Sequence, residues 1–391
     1  MKAFLAPWIL PVSQPPIANG AIAVDDRGKV VFVGSLSQLP KCDVTQEFAN
    51  QAIIPGLVNA HTHLEFSDLK KPLGTPGMKF TRWISEVVAL RSGQSQTENA
   101  KQSAIESGIQ QCLDHGTAAI GEIATSPVSA SHYANAENCL LTVFQEALGA
   151  NQGDYLSKFS EIESLHDQLN KHGVAAAISP HAPYSVPPIL LDRLLDLAEK
   201  VGTAVAMHLA ETLEEREFIE HRSGPFVEML KQFGVWKPEM FEPEDSILQI
   251  LKTLSRADRS LVIHGNYLSG EELDFIATVK ERMSIVFCPR THRYFRHADY
   301  PMEAILERGI NLAVGTDSRA SNPDLNLMEE LKEIRRQFPK MSAEKILQLG
   351  TLNGASALGI SDQLGTIEEG RVGRFCFAAL PDVNDPYSWL S

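Results

Sequence analysis

Apolar runs recur through the middle of the chain, and each of them carries a polar residue at or near its end. Their largely continuous apolar positions are typical of strands in a sheet that is buried on both faces. Eight such runs lie at residues 57–64, 117–124, 139–148, 174–181, 204–210, 260–266, 283–290 and 310–317. Helix-like segments with an apolar stripe lie between several of them, at residues 98–114, 155–172, 187–201 and 325–337. This alternation predicts an α/β fold, and eight units predict a (β/α)8 TIM barrel.

Both ends of the chain differ from the middle, because they are rich in short β-prone runs and turns. We therefore predict a small composite β-sandwich domain formed by both termini, which flank the barrel. The predicted segments are residues 1–55 and 360–391 for the β-sandwich and residues 56–359 for the barrel. Two connections within the barrel are longer than usual, which predicts active-site loops or lids. These connections are residues 65–97 and 212–259.

The composition limits the class of protein before any site is considered. With 391 residues, 43% of them hydrophobic, the chain has ample material for one large barrel. A formal net charge of −14 argues against a nucleic-acid partner, which needs clustered Lys and Arg. No apolar run approaches the length of about 18 residues that a membrane span requires. The five scattered cysteines lack CxxC spacing and are expected to be free thiols of a cytoplasmic protein.

Four polar residues at the ends of predicted strands form a candidate metal site. His61 and His63 lie two apart on one strand, while His208 and Asp317 each follow another apolar run. The carboxyl ends of the strands in a barrel share one mouth, so these residues can converge on one ion. Imidazoles with one carboxylate suit zinc, iron or manganese better than magnesium or calcium. A single histidine is more often a core or capping residue; the combination in this order is what indicates a metal.

Six segments of the chain resemble the amidohydrolase superfamily, in particular the branch of cytosine, guanine and S-adenosylhomocysteine deaminases and chlorotriazine hydrolases. The matching segments are PGLVNAHTHLEFS (55–67), SPHAPYSV (179–186), MHLAET (207–212), VIHGNYL (262–268), VGTDSRASN (314–322) and LGTIEEGRVGRF (364–375). The resemblance covers nearly the whole chain. It implies one divalent transition metal, zinc or iron, held by His61, His63, His208 and Asp317. The sequence departs from the family where CPRTH (288–292) replaces CPxSN, which puts substrate contacts on strand 7 in doubt.

The resemblance also implies catalytic roles for Glu211, His264 and Asp317. Glu211 would transfer protons between water and the substrate ring, which is general acid–base catalysis. His264 would polarise the leaving group or the attacking hydroxide, and Asp317 would both bind the metal and accept a proton. Two alternatives stay open: Glu211 as a carboxylate that stabilises a helix N-terminus, and His264 as a weak further ligand or a structural histidine.

Candidate substrate-binding residues follow from the same strand ends. His181 corresponds to a substrate-contacting histidine in similar purine-nucleoside deaminases, although it can instead order its loop. Glu65 follows the metal-binding pair on strand 1, and Glu146 ends strand 3. Arg290 ends strand 7 and is a candidate partner for a substrate carboxylate. Further candidates are Trp83, which can stack on a ring or pack on the barrel, Ser318 beside Asp317, and, more weakly, Arg82 and Arg319.

These features predict a metal-dependent hydrolase that removes ammonia from an aminated heterocycle by attack of a metal-bound hydroxide. HTHLEFSDL (61–69), followed by a Trp-Ile pair, looks like the aminodeoxyfutalosine-deaminase-like group, whose substrate joins adenine to a benzoate. An adenine-type nucleoside is therefore the expected substrate. The alternatives are a triazine chlorohydrolase, a cyclic amide hydrolase, and a non-catalytic relative, which would be expected to have lost a site residue. The expected binding partner is a small-molecule substrate, and the sequence leaves open whether the protein forms a homodimer.

Overall fold

A computed structural model shows an eight-stranded parallel barrel with a separate sheet built from both termini. The structure describes residues 1–93, 97–125, 132–133, 136, 138–149, 155–238 and 245–391. Its strands are β1 (Lys2–Ile9), β2 (Ile17–Val24), β3 (Val30–Ser35), β4 (Val44–Glu47), β5 (Gln51–Pro55), β6 (Leu57–Thr62), β7 (Thr117–Ala124), β8 (Leu140–Ala147), β9 (Ala175–Pro180), β10 (Val205–Leu209), β11 (Ser260–His264), β12 (Met283–Phe287), β13 (Asn311–Val314) and β14 (Phe375–Ala379).

Helices follow most of the barrel strands. They are α1 (Phe80–Gly93), α2 (Glu98–Asp114), α3 (Tyr155–Lys171), α4 (Pro188–Val201), α5 (Leu213–His221), α6 (Pro225–Gln232), α7 (Ile247–Leu254), α8 (Gly270–Thr278), α9 (Pro289–Phe295), α10 (Met302–Glu307), α11 (Leu327–Gln337), α12 (Ala343–Leu349) and α13 (Leu352–Leu358). Helix α4 shows how the apolar stripe becomes a core face. Leu190, Leu194 and Leu197 are buried, and Gly202 ends the helix in a left-handed conformation at φ 65°. Within the described residues, no helix has both the length and the apolar composition for crossing a bilayer.

The barrel strands pair in chain order from β6 to β13, and neighbours in the sheet are parallel. The predicted TIM-barrel fold is therefore confirmed. Most strands end earlier than the apolar pattern predicted: β6 ends at Thr62 rather than at residue 64, and β12 ends at Phe287 rather than at residue 290. His61, His208 and His264 thus lie in the last residues of their strands, whereas His63 and Asp317 lie just beyond the ends of theirs.

Polar contacts close the barrel between its first and last strands. The Asn59 amide donates to Thr316 Oγ1 at 2.8 Å, and the Asp317 backbone N–H donates to His61 O at 3.1 Å. Gly315 permits this approach, because a Cβ there would lie 2.7 Å from His61 O. The absence of a side chain at Gly315 therefore lets the segment carrying Asp317 lie directly against the strand that carries the two histidines.

The terminal sheet joins both ends of the chain, as predicted. Strand β1 pairs antiparallel with β2 and parallel with β4 and β5, and β14 of the C-terminal segment pairs antiparallel with β5. A further bridge links Lys29 to Val372. The division of the chain at residues 55 and 359 stays a prediction.

The two long connections contain helices, which the loop prediction missed. The first holds α1, and the second holds α5, α6 and α7. Local capping supports these helices: the Thr212 hydroxyl accepts from Glu215 N at the start of α5, and the Ser246 hydroxyl accepts from Gln249 N at the start of α7. Helices α1 and α6 matter for function, because their side chains form one wall of the cavity described below.

Candidate active site

A cavity of about 560 Å³ opens at the carboxyl ends of the barrel strands. Its inner end is polar, and its outer walls are mainly apolar side chains from α1, α6 and the loop after α6. The polar lining residues are His63, Arg91, Thr125, Glu146, His181, Ser185, His208, Glu211, His264, Asp317 and Ser318. Active sites of TIM barrels lie at this face, so the cavity is the candidate active site.

Three histidines and one aspartate meet at the inner end. His61, His63 and His208 each offer a ring nitrogen, and these nitrogens lie within 4.8 Å of one another. Asp317 Oδ1 lies 3.6 Å from His61 Nε2 and 3.7 Å from His63 Nε2. The structure therefore brings together the four residues that the sequence singled out as metal ligands.

The hydrogen bonding of these histidines fits a metal ion. Both ring nitrogens of His61 are buried without a hydrogen-bond partner, which is costly unless another group takes up their lone pairs. His208 Nδ1 lies 2.9 Å from the carbonyl oxygen of His181, so donation there leaves Nε2 unprotonated for a ligand. Burial, followed by the effect of His61, lowers the pKa of His208 to about 3, which keeps the imidazole neutral and able to bind a cation.

Backbone strain marks the same strand ends. Ala210, His264 and Asp317 have positive φ angles of 54°, 68° and 56°, a region that residues other than glycine rarely adopt. Such conformations cost about 1–3 kcal/mol each and persist where the surrounding structure enforces them. Here the Asp317 carboxylate is held by two hydrogen bonds, from Ser318 N at 2.7 Å and from the Ser321 hydroxyl at 2.9 Å.

A buried carboxyl–imidazole pair lies beside the metal cluster. Glu211 Oε1 is 3.5 Å from His264 Nε2, and both side chains are about 95% buried. Burial, and then the charges of Asp317 and Glu215, raise the pKa of Glu211 well above its usual value. A neutral Glu211 can donate a proton, whereas Asp317 cannot: burial favours its neutral form, but the imidazoles of His61, His264 and His63 together outweigh this and hold the pKa of Asp317 low.

Two residues that sequence reasoning missed hold Glu211 in position. The Glu215 carboxylate accepts from Ala210 N at 2.9 Å and from Glu211 N at 2.8 Å, and the Asn266 amide donates to Glu211 O at 3.0 Å. Burial raises the pKa of Glu215 to about 7. The sequence could have identified Glu215, because it lies three residues after Thr212 at the start of a helix, and this spacing is typical of N-terminal capping.

His181, Glu146, Trp83 and Ser318 line the cavity. His181 Nε2 lies 3.8 Å from Glu146 Oε1, and its Nδ1 lies 2.6 Å from the Ser185 hydroxyl. Trp83 Nε1 donates to the Ala320 carbonyl oxygen at 3.1 Å, and the indole stacks on Phe80 with ring centroids 5.6 Å apart. The indole is thus partly packed on its own scaffold while one side of it faces the cavity.

Glu65 does not line the cavity, contrary to expectation. It was placed on strand 1 beside the histidines, but β6 ends at Thr62 and Glu65 lies in a 3-10 turn, Leu64–Phe66. There its carboxylate accepts from Thr125 N at 3.1 Å. The strand alternation that would have directed Glu65 into the mouth stops before this residue, so its carboxylate instead contacts the backbone just after β7.

Arg290, a candidate partner for a substrate carboxylate in the sequence, is not among the residues that line the cavity. It lies on α9, where its Nε donates to Glu330 Oε1 at 2.6 Å and its Nη2 donates to Asp324 Oδ1 at 2.6 Å. Arg290 is absent from the cavity lining, which instead contains Arg91 near the end of α1. Of the weaker candidates, Arg82 has its Nε 3.9 Å from Glu86 Oε1, and Arg319 donates from its Nη1 to the Ser67 carbonyl oxygen.

The chain belongs to the amidohydrolase family, whose model matches residues 52–386. An aminodeoxyfutalosine deaminase of Nitratiruptor sp. is 28% identical over 91% of this chain and 86% of its own length. An adenosine deaminase of Helicobacter pylori is 29% identical over 83% of this chain and 78% of its own length. A crystal structure of Helicobacter pylori aminofutalosine deaminase with methylthio-coformycin covers 100% of this chain and 95% of its own, with a TM-score of 0.85 and 23% identity.

Other solved structures share the fold while differing in their named activity. Atrazine chlorohydrolase from Arthrobacter aurescens, solved with zinc, covers 100% of this chain and 91% of its own, with a TM-score of 0.82 and 18% identity. The predicted superfamily is confirmed by these comparisons. Family membership and the histidine cluster together support a divalent metal as the cofactor.

Proposed function

We propose that the protein is a hydrolytic deaminase of an adenine-type nucleoside, with zinc or iron held by His61, His63, His208 and Asp317. The observation that carries this proposal is the buried Glu211–His264 pair, 3.5 Å apart, beside Asp317 at the inner end of the cavity. The names of the relatives support it, since they include aminodeoxyfutalosine, adenosine and 5-methylthioadenosine/S-adenosylhomocysteine deaminases.

The side chains supply the proton transfers that deamination needs. A divalent ion in this site supplies Lewis-acid chemistry, which activates water at neutral pH. The raised pKa of Glu211, caused first by burial, lets its carboxyl donate a proton to a ring nitrogen as water adds to the amino-bearing carbon. Asp317, held ionised, is suited to accept the proton that water loses. Asp317 then returns this proton to the amino group, while Glu211, now ionised, takes the remaining proton of the added hydroxyl as the carbonyl forms. The carbon–nitrogen bond breaks, ammonia leaves, and both carboxyl groups are restored.

The same pair favours deamination over dehalogenation. An amine must be protonated before it leaves, whereas chloride leaves without a proton. Glu211 and His264 are both within the cavity and form the proton-carrying pair that an amine requires. Triazine dechlorination remains the second candidate, because a chlorohydrolase shares the fold at a TM-score of 0.82.

The test is an ammonia-release screen with protein reconstituted with zinc or with iron. Purine nucleosides, cytosines, pterins and triazines are compared, and chloride release is measured in parallel. Glu211→Gln should keep the metal but lose turnover by about 100-fold or more, because an amide cannot carry the proton. Glu214→Gln is the matched control, since Glu214 lies on the same segment outside the cavity lining.

Two outcomes would contradict the proposal. Near-wild-type turnover in Glu211→Gln would remove Glu211 from the mechanism. Faster release of chloride from a chlorotriazine than of ammonia from any nucleoside would favour the dechlorinase. Activity with each reconstituted metal, together with elemental analysis of protein purified without added metal, separates zinc from iron.

A further inference from the structure

The strand that carries the first two histidines leaves the barrel sheet irregularly. Strand β6 pairs with β7, but it advances three residues from Asn59 to Thr62 while β7 advances only two, from Ile120 to Glu122. One extra residue on one strand is a β-bulge, which bends that strand and interrupts its ladder of hydrogen bonds. His61 lies within the bulge. The sheet alone therefore does not fix the backbone that follows it.

A buried carboxyl group of β7 holds the backbone just beyond this bulge. Glu122 is fully buried, and its Oε2 accepts a hydrogen bond from Leu64 N at 2.9 Å. Its Oε1 lies 3.5 Å from the Tyr133 hydroxyl, at the outer limit of a hydrogen bond. Leu64 directly follows His63 and begins the turn Leu64–Phe66. Glu122 therefore holds the chain at the first residue after one of the proposed metal ligands.

The His63 ring depends on its backbone more than the His208 ring does. A metal-binding histidine usually gains its orientation from a hydrogen bond of its second ring nitrogen. His208 Nδ1 has such a contact, a carbonyl oxygen at 2.9 Å, whereas His63 Nδ1 is buried with no hydrogen-bond partner among the described residues. The His63 ring instead contacts Phe66, with ring centroids 6.3 Å apart. Phe66 and the backbone after His63 both belong to the turn that Glu122 holds.

We propose that Glu122 is a positioning residue of the metal site, which holds His63 in its metal-binding orientation by accepting the hydrogen bond from Leu64 N. The proposal rests on the metal site of the proposed function and adds a residue that does not line the cavity. Glu215 has the same relation to the end of β10, where it accepts from the backbone N–H groups of Ala210 and Glu211. A buried glutamate thus holds the chain just beyond two of the strands that carry site residues.

The test measures the zinc affinity of metal-free protein by competition with a chromogenic chelator. Glu122→Leu should weaken zinc binding by about 10- to 100-fold, the usual cost of removing a group that orients a metal ligand. Glu122→Gln should stay close to the wild-type affinity, because its amide oxygen can accept from Leu64 N at the same side-chain length. Glu122→Asp keeps the acid but is one methylene shorter, so it should also bind zinc more weakly. This variant carries the comparison if Glu122→Leu does not fold.

Two control variants separate positioning from general destabilisation. Thr203→Val removes a buried hydroxyl that donates to the Ala176 carbonyl oxygen at 2.6 Å, just before β10 and at the opposite end of the strand from the metal site. It should lower the unfolding midpoint of the metal-free protein but keep the zinc affinity, because the carbonyl loses a donor far from the ligands. Tyr133→Phe removes the weaker contact of Glu122 and leaves Leu64 N bonded, so it should also keep the zinc affinity.

Three outcomes would overturn the role of Glu122. They are wild-type zinc affinity in Glu122→Leu or Glu122→Asp, a loss in Glu122→Gln as large as that in Glu122→Leu, and an equal loss in Thr203→Val. The proposed activity fails separately. If zinc-loaded wild-type protein releases no ammonia from any adenine nucleoside, the deaminase function is refuted, and the zinc affinities still decide whether Glu122 positions His63.

Discussion

Replacing Arg290 with methionine should destabilise the protein without changing substrate selectivity. Arg290 links two acidic residues of very different exposure: the Glu330 side chain is fully buried, while the Asp324 side chain is 40% exposed. Methionine has a similar length but no charge. The variant therefore leaves one carboxylate buried without its cation and another in contact with water.

The magnitude follows from the buried half of this network. Losing an exposed ion pair costs about 0–1 kcal/mol, whereas removing one partner of a buried pair costs about 3–5 kcal/mol. Glu330 keeps two donors, the Asn322 amide at 2.6 Å and the backbone N–H of residue 290 at 2.8 Å, so the lower end applies. We expect a loss of about 3 kcal/mol in the free energy of unfolding.

The loss in the free energy of unfolding caused by Arg290→Met should increase with pH. Burial raises the pKa of Glu330, and Arg290 opposes this shift, so removing the guanidinium raises the folded-state pKa further above the unfolded value. A carboxyl group with a raised folded-state pKa stabilises the fold at low pH and loses that contribution as pH rises through this pKa. The difference between the variant and the wild type should therefore be larger at pH 8 than at pH 4, which lies below the unfolded-state pKa of 4.5.

The assay is denaturant unfolding followed by tryptophan fluorescence, with substrate kinetics in parallel. Asp324→Asn is the control and should cost less than about 1 kcal/mol. The double variant Arg290→Met with Glu330→Gln should recover much of the loss, because the buried charge is gone. If Arg290→Met leaves the unfolding midpoint unchanged and selectively raises KM for a carboxylated substrate, this reasoning is refuted. Arg290 would then be a substrate-binding residue.

Two further predictions concern the metal site and the thiols. Asp317→Asn should bind less metal in elemental analysis while unfolding in one transition, because the carboxylate lies 3.6 and 3.7 Å from the imidazoles of His61 and His63, two of the proposed ligands; full metal occupancy would argue against ligation. In native protein at pH 8, a thiol reagent should titrate only Cys42, which is half-buried, and all five cysteines after unfolding. Burial raises the pKa of Cys139 and of Cys376 to about 12, which suppresses the reactive thiolate. Rapid labelling of more than one thiol in the native state would contradict this.

Much of the fold could be predicted because its determinants are local. An apolar run followed by a polar residue identifies a strand and its end, as at Asp317, and the barrel rule then gathers strand ends at one mouth. This is why the pair His61 and His63 could be grouped with His208 and Asp317 although long segments separate the pair from each of them. The same reasoning placed His181 and Glu146 at the mouth, where both line the cavity.

Local patterns did not determine how the side chains on the connecting segments pair. Arg290 follows an apolar run as Asp317 does, but α9 begins at Pro289 and brings its guanidinium to Glu330, 40 residues away. Only the packing of α9 against α11 decides that this cation is already neutralised. The reverse holds for Arg91, which became part of the cavity because α1 forms within a connection expected to be a loop. The hydrophobic pattern of a strand depends on residues that are close together in the chain, so the sequence alone determines it. The partner of a buried charge instead depends on which distant segments the fold brings within a few ångströms.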